Sequence, residues 1–298
     1  MPSIFTKRIL VVFMSFLLLF ILSCSSTDEP EEKKETQISR DEAQATLNES
    51  AVYLVAIANF LTEDMTRAAQ GDIAYLSDAS GIGFNILNRE TRTGLKLTKP
   101  QGTADEDTVY YNGNGCWIVM YEEIYDYYSA AINAEVCFQT VDENGYPTEA
   151  NDVFDLDMTA DFGYDYSEGE YVNNASIAYV RDFNMIGISG FATGGMVTVN
   201  GSESITEIFN YTYENESYSG NIKLTVTVKD LKFGLNSDWP EEGTINFTLD
   251  IKVTEEGRTY EYFLRGEMTF DGTSIVAVKF AGYDFDIDLE NPYSTTKN

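Results

Sequence analysis

Carboxylates are the side chains most able to do chemistry in this sequence, which has 49 Asp and Glu residues but no histidine. The lack of histidine excludes Ser-His-Asp and Cys-His catalysis and any His-ligated zinc or iron site. Two acidic alternations put carboxylates on one strand face: Asp155, Asp157 and Asp161, and Asp284, Asp286 and Asp288. Such sets could bind calcium or form a glycosidase pair. A solvated strand face explains them more simply, so we predict no metal site, cofactor or catalytic residue.

Aromatic side chains form the second candidate, with 20 Tyr, 18 Phe and 2 Trp. A tyrosine or tryptophan platform beside acidic groups could bind a sugar. The residues that we predict for such a platform are Tyr121, Tyr125, Tyr127, Tyr128 and Trp239, with Tyr164 and Tyr166 as further candidates. Aromatic residues also favour strands, so core packing stays open as the alternative.

Two cysteines of the chain body, Cys116 and Cys137, lie 21 residues apart on segments that could pair as neighbouring strands. Outside the cytoplasm, such a pair is a candidate disulfide. Against a bridge, Val136 and Phe138 are expected to point inward, which turns Cys137 outward. Both a disulfide and two free thiols therefore stay open.

The amino terminus has the pattern of an export signal. Lys7 and Arg8 precede an apolar run of about 14 residues, shorter than the roughly 20 of a spanning helix. The run ends at Leu22-Ser23-Cys24, and the whole stretch resembles a bacterial lipoprotein signal peptide with its lipobox. The resemblance implies cleavage after residue 23, lipidation of Cys24 with palmitate-type chains, and an outer-membrane protein facing the periplasm or the cell surface. An ordinary signal peptide is the alternative.

The charge of the chain restricts its partners. Loss of residues 1–23 removes Lys7 and Arg8, which leaves 19 − 2 = 17 basic against 49 acidic residues, a formal charge of −32. Phosphate binding needs a basic face, so nucleic acid is excluded as a partner. We expect contact with the membrane only through the lipid anchor, while a protein, glycan or apolar ligand stays open.

The first part of the mature chain combines a tether and a helix. Residues 24–39 are polar and charged, which predicts a lipidated, disordered tether. Ser39 and Glu42 have capping-box spacing, and apolar residues recur at helical intervals from Asp41 to about Gln70. The helix belongs to a helical region, 40–106, and it is apolar enough to require burial against a sheet.

Apolar and polar residues alternate along residues 107–298, as is typical of strands. This pattern predicts an antiparallel β domain that forms one globular unit with residues 40–106. The alternation is clearest in a four-stranded meander from about Thr244 to Leu289. Turns at Glu256-Gly257 and Ala281-Gly282 would pair Val253 with Tyr260 and Phe280 with Tyr283. A three-residue loop at 271–273 would pair Met268 with Val276.

About ten strands are too many for a flat open sheet. We therefore predict a mainly β fold, a curved antiparallel meander (barrel, half-barrel or sandwich) with one N-terminal α-helix packed on it. This architecture is broadly similar to the unclosed barrels of LolA/LolB-type lipoprotein carriers, although no motif of that family occurs here.

The expected function is that of a non-enzymatic envelope lipoprotein, a binding or structural module. One version carries an apolar ligand in a cavity between helix and sheet. Another binds glycans or mediates adhesion through exposed aromatic residues, and a carbohydrate-active enzyme ranks third. Whether the inner side of the sheet is hollow or filled distinguishes the first version from the others.

Overall fold

The computed structural model describes residues 33–71, 108–168, 171–191, 193–213, 216–234, 237, 239–255, 257–291 and 295–297. The predicted signal peptide, Cys24 and the first part of the predicted tether lie outside these residues, and so do residues 72–107, which include the rest of the predicted helical region.

The described chain consists of one long helical segment followed by strands. The helical segment comprises α1 (Arg40–Asn59), a π-helical turn (Phe60–Asp64) and α2 (Met65–Ala69). A four-residue helix, α3 (Ile188–Phe191), lies between two strands. The strands are β1 (Thr108–Tyr111), β2 (Cys116–Tyr125), β3 (Tyr128–Phe138), β4 (Val153–Glu168), β5 (Tyr171–Ile186), β6 (Met196–Tyr213), β7 (Glu216–Gly234), β8 (Glu242–Glu255), β9 (Arg258–Thr269), β10 (Ile275–Phe280), β11 (Tyr283–Asp288) and β12 (Thr295–Lys297).

All twelve strands form a single antiparallel sheet in the order of the sequence, so each strand pairs with the one before it. The sheet is curved and does not close into a barrel. Strands such as β3 and β10 alternate between buried and more exposed positions, as expected for a sheet with one covered face. The prediction of a mainly β, curved antiparallel meander with an N-terminal helix is confirmed.

The helix begins with the predicted capping box. The Ser39 backbone N–H donates to the Glu42 carboxylate at 2.7 Å, and the Ser39 hydroxyl accepts from the Glu42 N–H at 3.4 Å. Leu47, Leu54 and Leu61 are fully buried, and they belong to the same hydrophobic core as the inward side chains of the sheet. Within the described ranges, no helix has both the length and the apolarity needed to cross a bilayer.

The C-terminal meander has the predicted register in most of its pairs. Val253 pairs with Tyr260 and Phe280 with Tyr283. The predicted pairing of Met268 with Val276 is wrong, because Met268 lies opposite Val278. The β9–β10 connection is longer than predicted because Phe270 is buried, and its N–H donates to the Gly243 carbonyl at 3.1 Å. A shift of two residues keeps the same side chains inward.

The long strand β6 (Met196–Tyr213) contains an irregularity in its pairing with β7. In β6 the pairing shifts between Val199 and Gly201, as in a β-bulge. Gly201 has φ 144°, and a Cβ atom there would lie 2.1 Å from the Asp182 carbonyl oxygen. Only glycine fits at this position, so β6 continues through the bulge to its full length.

The last residues of the predicted tether lie against β9. Thr36 donates its N–H to the Phe263 carbonyl at 2.8 Å and accepts from the Phe263 N–H at 2.9 Å through its hydroxyl. Lys33 forms an ion pair with Asp250. Because β10 pairs only with the last part of β9, residues 35 and 36 occupy the edge of β9 that β10 leaves uncovered.

Candidate ligand-binding site

Burial divides the inner face of the sheet, which carries α1, into two halves. Residues that pair across neighbouring strands form rows that run across β3 to β9. In the rows beneath the helix, the inward-facing residues are at most 8 % exposed. We call these residues the covered half: Ile132, Ala134, Met158, Ala160, Tyr179, Arg181, Phe183, Glu203, Ile205, Leu224, Val226, Phe247, Leu249 and Leu264.

The rows nearer the β4–β5 and β6–β7 turns contain half-buried residues. We call these the open half: Tyr164, Tyr166, Asn173, Ala175, Glu207, Phe209, Tyr211, Ile222, Ile251, Val253, Tyr260 and Tyr262. Six of the twelve are aromatic, and none is basic. The same strands build both halves, because β4 to β7 are 16 to 19 residues long and extend beyond the helix.

Contacts between side chains hold several rings of the open half in place. Tyr211 lies 6.0 Å from Tyr218 between ring centroids, and Tyr164 makes an edge-on contact with Tyr127 at 6.1 Å. The Phe209 ring lies over Gly220, where a Cβ atom would be 2.6 Å from the ring. These rings form a preorganised surface, which lowers the entropy cost of binding a ligand.

Two carboxyl groups, one in the open half and one on α1, have pKa values above their ordinary range. Burial raises the pKa of Glu207 to about 6. Its neighbours in the row are Ile177 and Ile222, and it has no ion-pair or hydrogen-bond partner among the described residues. Burial also raises the pKa of Glu49 on α1 to about 7. The Glu49 side chain is partly accessible to water, so protein atoms desolvate its carboxyl group only in part.

The covered half contains a buried ion pair. Arg181 Nη2 donates to Glu203 Oε1 at 2.9 Å, and the two side chains are 3 % and 0 % exposed. Phe60, the first residue of the π-helical turn, places its ring centroid 4.1 Å from the guanidinium carbon. Arg181 Nε and Nη1 and Glu203 Oε2 have no hydrogen-bond partner in the described part of the chain. The pair fixes where the helix lies, at a considerable cost in desolvation.

The structure separates the predicted aromatic platform into different environments. Tyr121 is buried, and its hydroxyl donates to the buried Glu123 carboxylate, so it cannot serve a ligand. Tyr127 and Tyr128 lie at the β2–β3 turn, beside Tyr164 of the open half. Tyr125 pairs with Tyr128 through the backbone, and its side chain is outside the described part.

Trp239 does not join the other predicted residues, because the β7–β8 connection lies at the opposite end of the sheet. At that end sequence reasoning missed another aromatic cluster. Trp117 has Tyr111 at 5.7 Å and Tyr146 at 5.0 Å, and its Nε1 donates to the Gly145 carbonyl at 2.7 Å. Since rings lie on both sides of Trp117 and its N–H is used, this cluster fastens the β3–β4 loop.

The two acidic alternations lie on the outer face, away from both halves. Only one group of described Cys, Asp and Glu side chains has three ligand atoms close enough to share a metal, and it comprises Cys116, Glu135 and Cys137. The cysteine sulfur atoms are 2.07 Å apart, at bonding distance. Cys137 points outward as expected, but Cys116 lies directly opposite it on the same face, which makes the bridge possible.

The open half was not recognised in the sequence, although β6 holds a signal. Its inward positions change from Val197 and Val199 to Glu207, Phe209 and Tyr211 along one strand. Such a change, from aliphatic to polar and aromatic, marks the point where a helix ceases to cover a sheet. No protein-family model, curated protein or solved structure matches this chain.

Proposed function

We propose that the protein is a lipid-anchored, non-catalytic binding module of the bacterial envelope and that its ligand binds on the open half. Lipidation at Cys24 would place it on the outer membrane, facing the periplasm or the cell surface. The observation that supports binding is the contrast in burial along the same strands. Half of the inner face is sealed by a helix, while the other half leaves six aromatic residues within reach of solvent.

A glycan is the ligand class that this surface fits best. Tyrosine offers a flat apolar ring together with a hydroxyl group, which suits a sugar that has both C–H faces and hydroxyl groups. Asn173 and Glu207 add an amide and a carboxyl group for hydrogen bonding. None of the twelve residues of the open half is basic, and Arg258, which ends the row that contains Tyr211, lies directly opposite Glu255.

The carrier of an apolar ligand is less well supported. Its cavity would lie between helix and sheet, where Leu47, Leu54, Leu61 and Met65 are fully buried. A carrier would need the helix to leave this position and expose the buried Arg181–Glu203 pair. Uptake of a fluorescent lipid probe by the full chain would favour this version.

A glycan array tests the proposal with the full chain purified from membranes in detergent. We expect the wild type to bind a defined subset of glycans and Tyr211→Ala to lose about tenfold in affinity, near the ~1.4 kcal/mol that an aromatic contact contributes. Tyr110→Ala is the matched control, since Tyr110 is a 46 % exposed tyrosine on β1. Absence of any glycan signal, or equal losses in both variants, would contradict the proposal.

Two further measurements test the anchor and the lack of catalysis. We expect Cys24→Ala to leave the membrane fraction and to lose palmitate labelling. A variant that stays in the membrane and labels as well as wild type would refute lipidation at Cys24. Incubation of any bound glycan with the protein should release no reducing ends, whereas release would identify a carbohydrate-active enzyme.

A further inference from the structure

The disulfide lies on the outer face, apart from the ligand site. Cys116 of β2 and Cys137 of β3 are direct cross-strand partners, and both are half-buried. The two strands pair through ten residue pairs, from Cys116–Cys137 to Tyr125–Tyr128, so the bridge is one of many contacts between them. We therefore expect the hairpin to stay folded when the cysteines are reduced.

One carboxylate group lies close to the two sulfur atoms, and a second is on the neighbouring strand. Glu135 precedes Cys137 by two residues on the same strand face, and its carboxylate oxygen and both Sγ atoms lie within 4.8 Å of one another. Asp155 of β4 lies directly opposite Cys137 and accepts a 2.7 Å hydrogen bond from Asn184 Nδ2. Such a bond orients a carboxylate in the way that outer-shell partners orient metal ligands.

The charge of this surface favours a cation. Asp157 pairs with Glu135 on one side and with Asp182 on the other, which adds two carboxylates to the group. Like charges at directly paired positions repel one another. A bound divalent cation would relieve this repulsion.

We propose that Cys116, Cys137 and Glu135 form a redox-gated site for zinc or another thiophilic divalent cation, with Asp155 or water as the fourth ligand. Two thiolates and one or two carboxylates match the ligands that zinc takes in a tetrahedral site. Such a site holds its ligand atoms roughly 3.3–3.8 Å apart, so small side-chain movements suffice. In the oxidised form the two sulfur atoms are bonded to each other, and the site is closed.

A dithiol reductant can open the site. One of its thiolates attacks a sulfur atom of the bridge, its second thiol resolves the mixed disulfide, and the reductant leaves as a disulfide. The bridge accepts two electrons and two protons, which gives two cysteine thiols. Binding of the cation then releases the two thiol protons to water, because the ligands are thiolates.

Calorimetric titration of the full chain with Zn²⁺, before and after reduction by a phosphine, tests the proposal. We expect no specific binding to the oxidised protein and one Zn²⁺ per chain after reduction. Cd²⁺ should then produce the ultraviolet absorption of cadmium–thiolate bonds. Failure of the reduced protein to bind one equivalent, while its circular dichroism shows an intact sheet, would overturn the proposal.

Variants separate a built site from general attraction to an acidic surface. Glu135→Gln should weaken Zn²⁺ binding to the reduced protein by about tenfold or more. Glu122→Gln removes an equal charge from the same face of the neighbouring strand and should leave the affinity unchanged. The double variant Cys116→Ser/Cys137→Ser should not bind. Equal affinities for the two glutamine variants, or tight binding by the double serine variant, would refute the site.

Discussion

The covered and open halves of the inner face are made from the same strands and the same alternation, yet they have opposite properties. In the covered half the inward residues are mostly aliphatic, and α1 excludes water from them. In the open half six of the twelve residues are aromatic, and water reaches them. The strands extend beyond the helix, and their inward residues change from aliphatic to aromatic there. These two features distinguish the surface that stabilises the fold from the surface that is available to a ligand.

The largest expected effect comes from breaking the buried ion pair of the covered half. Arg181→Ala should lower the free energy of unfolding by about 3–5 kcal/mol, because it leaves the Glu203 carboxylate buried without a partner. Denaturation by urea measures the loss. The double variant Arg181→Met/Glu203→Leu should be close to neutral or more stable, since it removes both charges. A loss below about 1 kcal/mol in the single variant would show that water reaches this half.

Truncation of one side chain from each half compares them directly. Leu61→Ala should cost about 2–5 kcal/mol, because Leu61 is fully buried beneath the sheet. Tyr211→Ala should cost at most about 1.5 kcal/mol, since its main described contact is the ring pair with Tyr218. Equal losses in urea denaturation would mean that the open half is also core.

The Glu207 carboxyl group gives a test by pH. Its pKa is about 6 in the folded protein against 4.5 in the unfolded chain, so the folded state binds more protons in this window. The contribution of Glu207 to stability is therefore greatest below pH 4.5, falls as the pH rises to about 6, and stays lower above it. Glu207→Gln should remove this contribution, leave that of Glu49 in place, and gain up to ~2 kcal/mol at pH 7. Glu216→Gln, an exposed control, should keep the wild-type profile, and an identical profile for Glu207→Gln would contradict the assignment.

The smallest effect is expected on the outer face. Lys252 and Glu261 are cross-strand partners joined by a 2.7 Å ion pair, and both side chains are more than 60 % exposed. Lys252→Ala should change the free energy of unfolding by less than about 1 kcal/mol, because solvent screens the pair. A loss comparable to that of Leu61→Ala would show that the outer face contributes to the fold far more than burial indicates.

Local patterns predicted much of the fold. The capping box fixed the start of the helix, and the alternation of β8 with β9 fixed their register through pairs such as Leu249–Leu264. The error at Met268 arose because the length of the β9–β10 loop depends on Phe270, whose burial requires the distant Gly243. Turn residues alone could not reveal that contact.

The site was harder to predict than the strands, because it depends on where a distant helix lies. Tyr121 and Tyr164 are both tyrosines on the inner face, but Tyr121 is buried whereas Tyr164 is only half-buried. Nothing in their immediate sequence distinguishes them. The contact of Phe60 with Arg181, which places the helical segment on the covered half, joins residues more than a hundred positions apart.

Hydroxyl-radical footprinting of the full chain tests the division of the inner face most directly, because it reports the accessibility of individual rings. Two matched pairs of rings are compared, Phe209 with Phe183 and Tyr211 with Tyr179. In each pair the first residue lies in the open half and the second in the covered half. We predict rapid modification of Phe209 and Tyr211 and strong protection of Phe183 and Tyr179. Modification of all four residues at similar rates would show a hollow inner face and would contradict the account.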